Sequence, residues 1–529
     1  MQIKIKAALK AAISITAIAA LSYPAAARDT RSAAKLSTAQ IDAVARKSLN
    51  TFDTPGVAVG IVLDGKVQML KGYGYRNLDT KQPVTKDTLF RIASTTKAFT
   101  SAALAILVDD GKLEWEDKVI DYLPDFRMMD PWVTREFTIR DLLTHQSGLG
   151  IGAGDLMLGP EPAGFTREEI MRNLRHLKPA SSFRSKYAYD NLLYIVAGDV
   201  VAKASGSTWE EFVQTRILDP LGMPCYSGSV PESKLASTAI PYGMVEGKMA
   251  PITRNKIGTH VTVSAAAGGL VCNVDGMSIW MLTQMNGGVG PNGRRVFSEE
   301  QRNEMWKSRT ILGVSKSERE NDQTHFKTYA LGWRKEDMHG HEVISHTGTL
   351  SGMQAYLSLI PELGLGVIVL NNGSDYGTRT AITQTVLKAY LDQPKEDWVE
   401  ILNRSTPRES TDEPGDEYVG SGTVLKPLDA YKGRYTDAWY GPVDIEQDGA
   451  GLRFRSVKSV QMTGKMEPFD QNMFIIRWDN RSFEADAYAR FETDFKGNIT
   501  SIKLEAVSDE TESSYNFWDL DFVKDEEKD

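Results

Sequence analysis

Ser94-Thr95-Thr96-Lys97 sets a nucleophile and a basic amine three positions apart, ahead of the almost wholly apolar run Ala98–Val108. On a helix, residues three apart share a face, so the serine hydroxyl and the lysine amine would be neighbours. The apolar run predicts a buried helix. Burial disfavours an ammonium ion, so the lysine pKa should fall and release a neutral amine as a base. A serine hydroxyl becomes an effective nucleophile when such a base takes its proton. Backbone N–H groups at a helix start can also face an oxyanion. The chemistry these residues would perform is acyl transfer through a serine ester. An exposed serine and lysine on a surface helix would share the spacing, so the pattern needs support from elsewhere in the chain.

Two further motifs supply it. One is Tyr189-Asp190-Asn191, within Phe183–Asn191; the other is His346-Thr347-Gly348, within Val343–Thr349. Ser-x-x-Lys, Tyr-x-Asn and His-Thr-Gly, in this order and at these separations, resemble the serine β-lactamase-related hydrolases (peptidase family S12). That group comprises class C β-lactamases, D,D-peptidases, D-aminopeptidases and related esterases. Asp141–Leu149 and Ala267-Gly268-Gly269-Leu270 add to the resemblance, which covers about residues 40–395.

The resemblance implies the roles. Ser94 is the nucleophile and Lys97 its base or the group that tunes it. Tyr189 lies beside both. A nearby ammonium would favour its phenolate, so Tyr189 could take the serine proton and later protonate the leaving group. Which of Lys97 and Tyr189 is the acylation base stays open, and the two are expected to be coupled. Asn191 orients Lys97 and holds a substrate carbonyl. His346, Thr347, Gly348 and Thr349 are expected to contact substrate, with the Thr349 N–H joining that of Ser94 in an oxyanion hole. His346 stands where β-lactamases and D,D-peptidases of this type usually carry lysine. Histidine is only partly charged near neutrality, so efficient β-lactam hydrolysis is not expected, and peptidases and esterases fit better. His145, near Ser147, could belong to a Ser-His-Asp triad, but the resemblance places it in a structural turn. Trp132, Trp333, Tyr356 and Tyr376 are candidates for the pocket wall.

The elements that must position these groups follow from patterning. Val57–Leu63 and Val67–Lys71 read as strands around the Asp64-Gly65 turn. Helices are predicted over Ser94–Asp110, Asn191–Ala204 and Trp209–Ile217. Strands return at Val343–His346, Met353–Ile360 and Leu365–Leu370, followed by a helix at Ala381–Leu391. The expected fold is α+β: an antiparallel sheet flanked by helices plus an all-helical region, as in the β-lactamase/transpeptidase group, with the site between them. Residues 403–422 read as a polar linker. Residues 423–529 carry short strands at Val443–Gln447, Leu452–Ser456, Met473–Trp478, Ala487–Phe491 and Ile499–Glu505. They should form a small sandwich or barrel, and they resemble the lipocalin-like domain appended to many such hydrolases. The domain should be separable from the chemistry, and residues 523–529 should be a solvated tail.

Composition narrows the setting. The 529 residues suffice for two domains, and the net charge of −9 excludes a nucleic-acid partner as an expectation. Lys4, Lys6 and Lys10, then Ala11–Leu21, then Ala25-Ala26-Ala27 read as a cleavable signal peptide over residues 1–27. The catalytic domain would then span residues 28–402. Export to a bacterial periplasm is expected, with secretion to the medium as the alternative. No stable membrane insertion, cofactor or metal is expected, since the histidines and cysteines show no ligand spacing. Cys225 and Cys272 could pair after export or simply pack. The function expected is cleavage of peptide amide bonds, including D- or non-standard residues and linearised cyclic peptides, through a Ser94 acyl-enzyme. A carboxylesterase, a weak β-lactamase and a non-catalytic penicillin- or peptide-binding protein are the alternatives.

Overall fold

The computed structural model describes residues 35–405 and 420–526, and of Ser405 only the backbone. The expected signal peptide and most of the expected linker lie outside the described residues. The described residues belong to one compact unit.

The central sheet has nine strands: β1 Gly56–Leu63, β2 Lys66–Asn77, β3 Gln82–Pro83, β4 Thr310–Leu312, β5 Lys327–Tyr329, β6 Arg334–Met338, β7 His341–Leu350, β8 Met353–Ile360 and β9 Leu365–Asn371. Their order across the sheet is β3-β2-β1-β9-β8-β7-β6-β5-β4. All paired neighbours run antiparallel. β1 is buried along its whole length, which is why its sequence is a continuous apolar run instead of an alternating one. Val57, Val59, Ile61 and Leu63 pack with Ile382, Val386 and Leu387 of the helix Gly377–Tyr390 on one face. Ala58 and Val62 face the opposite core, with Phe99 and Trp280.

That second core belongs to the helical region. The helix α1, Lys97–Asp109, follows a 3-10 turn at Ala93–Thr96, and every residue from Lys97 to Leu107 is buried. The helix α2, Leu192–Ser205, packs against it. A short ribbon of Phe90–Arg91, Leu270–Cys272 and Cys225–Ser227 lies just before the Ala93–Thr96 turn. Cys225 and Cys272 sit opposite each other in it and are disulfide-bonded.

The C-terminal region is a closed eight-stranded barrel running from Gly433–Asp437 to Phe522–Lys524. Tyr431, Tyr435, Phe454, Phe474, Trp478 and Phe491 fill its interior, as expected of a barrel this narrow. Two expectations change here, and one strand is added. The helix Trp398–Ser405 runs into the start of the expected linker. Val523 and Lys524, expected in a loose tail, lie in the strand that closes the barrel against Tyr435 and Thr436. Thr463–Asp470 is a further strand, with Gly464 and Met466 its buried positions and Lys465 exposed between them. Nor does the barrel hang free. Asn173 donates to the Trp439 carbonyl at 2.7 Å, Lys458 pairs with Glu169 at 2.6 Å, and Arg254 donates to the Ser482 carbonyl at 2.8 Å. The linker composition says nothing about these contacts, because they form between folded surfaces distant in sequence.

Candidate active site

Ser94 is presented by a strained turn. Ala93 has φ +46°, a region that residues with a Cβ rarely adopt. Thr95 secures the turn by donating its hydroxyl to the Ile92 carbonyl at 2.7 Å. Ser94 then opens into a cavity of about 420 Å³ between the sheet, the helical region and the barrel.

Lys97 is fully buried directly behind Ser94. Its Nζ lies 2.8 Å from Asn191 Oδ1, 3.0 Å from the Ala267 carbonyl and 3.2 Å from Ser94 Oγ. Burial pulls its pKa down to about 7, against the attraction of Asp155 and Asp190. A neutral amine has two N–H donors and one lone pair. Asn191 Oδ1 and the Ala267 carbonyl accept the two N–H bonds, which leaves the lone pair for the Ser94 hydroxyl.

Tyr189 differs from expectation. Its ring lies 4.7 Å from Lys97 Nζ, and its hydroxyl is buried without a partner in hydrogen-bond geometry. Burial pushes its pKa far above the ordinary value, and its contact with Ser94 only partly opposes this. The phenol is therefore protonated, and its available role is to donate. Asn191 sits just ahead of α2, where its Nδ2 donates to Asp155 Oδ2 at 2.8 Å. Asp155 and Asp190 are both buried, and burial raises each pKa to about 7.

On β7, side chains alternate between faces. Thr347 and Thr349 line the cavity. Gly348 and His346 point the other way. A Cβ at Gly348 would stand 2.2 Å from the Ile92 carbonyl, so only glycine lets the strand approach the Ser94 turn. His346 is the main correction to the sequence reading. Its ring is buried, with Nε2 2.9 Å from the Tyr329 hydroxyl and Nδ1 2.6 Å from the Thr347 carbonyl. Burial lowers its pKa well below the histidine norm, so it is neutral and does not touch the cavity. The strand's two-residue period decides this.

The positive charge that His346 lacks is present on another strand. Arg334, at the start of β6, pairs in register with Ser345 and shares the face of Thr347. It lines the cavity and donates to Thr347 Oγ1 at 2.7 Å. Its electrostatic neighbours are the tyrosines 187, 189, 329 and 356, and no carboxylate among the described residues forms an ion pair with it. Sequence reasoning passed it over, because an arginine on a short strand carries no pattern of its own.

Other expectations resolve simply. His145 is buried, takes φ +56°, accepts the Asp190 N–H on Nδ1 at 3.1 Å and stacks on Tyr189 at 4.3 Å. It braces the Tyr189–Asn191 segment and forms no triad with Ser94. Trp132 and Tyr376 are exposed away from the cavity, Trp333 is core, and Tyr356 sits beside Thr347 on β8 without reaching the cavity, so none of the four lines the wall. Instead the far wall comes from the loop around Gly152–Glu161 and from Glu512–Tyr515 of the barrel domain. The fit is close: a Cβ at Gly152 would stand 2.6 Å from the Ser513 carbonyl.

Comparisons with known proteins agree with this architecture. The family described as Beta-lactamase matches residues 41–391, and a domain of unknown function, DUF3471, matches residues 421–524. Unguisins hydrolase ungD' of Aspergillus campestris is 29% identical over 355 residues, which are 65% of this chain and 63% of that protein. The chain thus spans just under two thirds of that relative. Unguisins hydrolase ungD of Aspergillus violaceofuscus is 26% identical over 444 residues, covering 78% and 77% of the two chains. Protein flp of Staphylococcus aureus is 27% identical over 342 residues, covering 64% of each. The structure of the octameric penicillin-binding protein homologue from Pyrococcus abyssi superposes with a TM-score of 0.60 at 21% identity, covering 92% of this chain and 100% of that one. That likeness is one of fold.

Proposed function

The chain belongs to the β-lactamase family of serine hydrolases, and from that premise we propose that it cleaves peptide amide bonds next to a substrate carboxylate, through an acyl-enzyme on Ser94. The observation that carries the substrate reading is Arg334, a guanidinium on the cavity wall with no carboxylate partner among the described residues. A charge held beside an apolar core is costly unless it is paired in use. A substrate carboxylate meets that need with charge-assisted hydrogen bonds. The two fungal relatives are named as hydrolases of unguisins, which is compatible with a hydrolytic reaction.

In the proposed sequence, Arg334 seats the carboxylate and the scissile carbonyl meets Ser94 Oγ. Lys97 takes the serine proton as the C–O bond forms. The N–H groups of Ser94 and Thr349 receive the oxyanion. Tyr189 protonates the departing amine as the C–N bond breaks and regains a proton from Lys97. Water then hydrolyses the ester. Export is part of the same proposal: the N-terminal residues have signal-peptide character, and a Cys225–Cys272 bond persists in an oxidising compartment.

The test is a substrate panel of D- and L-aminoacyl peptides with free or amidated C-termini, short acyl esters and a chromogenic cephalosporin. A preference for free carboxylates that disappears in Arg334→Ala supports the reading. The cephalosporin matters because its carboxylate fits the same charge. Equal rates on free and amidated peptides would remove the carboxylate from the proposal.

A further inference from the structure

The amide of Asn191 can face Lys97 in two ways, and only one leaves a usable base. With Oδ1 towards Lys97, as here, the amide takes one amine N–H. With Nδ2 towards Lys97, a donor would meet the amine and compete with Ser94 for its lone pair. Something must hold the amide in the first orientation. Its only polar contact on the Nδ2 side among the described residues is Asp155 Oδ2, at 2.8 Å. Asp155 is buried, and its Oδ2 also accepts the Ser514 hydroxyl at 3.1 Å. Ser514 lies in the segment Glu512–Tyr515, which connects two strands of the barrel and enters the cavity wall.

We propose that Asp155 is a positioning residue for the base, that it acts by fixing the Asn191 amide, and that the barrel domain completes this arrangement through Ser514. The chain of contacts runs Ser514–Asp155–Asn191–Lys97–Ser94 and joins residues 420 positions apart. It rests on the acyl-enzyme reading with Lys97 as base. The barrel is then part of the catalytic apparatus and does more than cover it.

The charged and polar surroundings are specific. Lys97 faces Ser94, Asn191 and the Ala267 carbonyl, the rings of Tyr189 and Tyr194, the carboxyls of Asp155 and Asp190, and Arg334. Its charge also reaches His145. Asp155 faces Asn191, Ser514, Asp190 and Lys97. Glu512 shares the Ser514 hydroxyl. Asp155 supports the protonated form of Lys97. Removing its charge should therefore lower the Lys97 pKa and move the acidic limb of the rate profile to lower pH. Orientation and charge are separable. Asparagine at position 155 keeps an acceptor for Asn191 but not the charge; alanine keeps neither.

The experiment uses the full chain and a small uncharged acyl ester, so that carboxylate recognition plays no part. Asp155→Ala should lower kcat by about 100-fold with little change in KM, in the range of a misplaced general base. Asp155→Asn should recover most of kcat while its acidic limb still moves to lower pH. Ser514→Ala should lower kcat by about 5-fold, in keeping with loss of one hydrogen bond, and Ser514→Thr should restore it. Ser514 is half-buried on a loop, so its variants test the idea without risk to the core. Unchanged kcat and limb in Asp155→Ala would overturn the proposal, and so would an Asp155→Asn variant as impaired as Asp155→Ala. Ser94→Ala runs alongside: ester hydrolysis surviving there would defeat the acyl-enzyme reading and this inference together, whereas its loss beside an active Asp155→Ala would defeat the inference alone.

Discussion

The two walls of the cavity are built in opposite ways. On the sheet side, the functional groups sit on or beside regular elements: the Ser94 turn, α1, the start of α2, and strands β6 and β7. They are packed into a core, and burial sets their chemistry. Lys97 loses its proton near neutrality, Tyr189 keeps its own, and His346 stays neutral. On the barrel side, the wall consists of the Gly152–Glu161 loop and Glu512–Tyr515, which are short connecting segments between longer elements. The comparison teaches a division of labour. Proton affinities are set where water is excluded, and access and substrate shape are set where loops meet. The two walls join where Asp155, held by Ser514, accepts from Asn191 at the start of α2.

The largest effect belongs to the sheet wall. Ser94→Ala should abolish turnover, by about 10⁴-fold or more, because the acyl-enzyme cannot form. Circular dichroism and melting temperature should be unchanged, since one oxygen at the cavity surface is removed. Intact-mass detection of a Ser94 adduct with a slow substrate checks the same step; measurable turnover in the variant breaks the comparison at its root.

Next is the pH dependence of kcat/KM. The free base is the active form of Lys97 and its pKa is about 7. Protonation below that point removes the base. The rate should fall about tenfold per pH unit well below pH 6, as a single essential deprotonation requires. Asp155 and Asp190 titrate in the same range, so the limb belongs to the coupled set. A profile flat from pH 5 to pH 8, measured with an uncharged ester, would rule out Lys97 as the base.

Arg334→Ala should cost about 10- to 100-fold on carboxylate-bearing peptides, the scale of hydrogen bonds to a charged group. It should change uncharged ester hydrolysis little. A uniform loss on both would make Arg334 a support for the wall and not a substrate contact.

A smaller effect is expected from Tyr515→Ala on the barrel wall. Opening this side should change relative rates on long and short peptides by a few-fold, the scale of a lost apolar contact, while the Lys97-dependent pH limb stays in place. Movement of that limb would show the two walls to be less separable than the geometry implies. The smallest effect on selectivity is expected from His346→Lys. The sequence reading placed His346 in contact with substrate, but the ring is buried behind the wall. A lysine there should lower stability by about 2–4 kcal/mol, the cost of an unpaired buried charge. It should leave the ratio of carboxylate to uncharged substrates unchanged. Thermal melts and the substrate panel measure both.

Much of this molecule is determined by sequence alone. The nucleophile and lysine at the start of one buried helix, the Tyr-x-Asn turn at a helix start, the apolar strands of the sheet and the turn-separated strands of the barrel follow from local periodicity. Local periodicity is readable because side-chain direction repeats along each element. The same period-two rule, applied along β7, would have separated His346 from Thr347 and Thr349. What it could not supply is which face of that strand meets the cavity. Tertiary structure decided the rest. Arg334 reached the cavity wall beside Thr347 only because β6 pairs with β7 in one register. Tyr189 was left protonated because the whole surrounding cluster excludes water. Asp155 and Ser514 met because the barrel docks on the catalytic region through contacts between surfaces remote in sequence. Register, burial and docking each depend on which distant residues come together, and no local pattern encodes that.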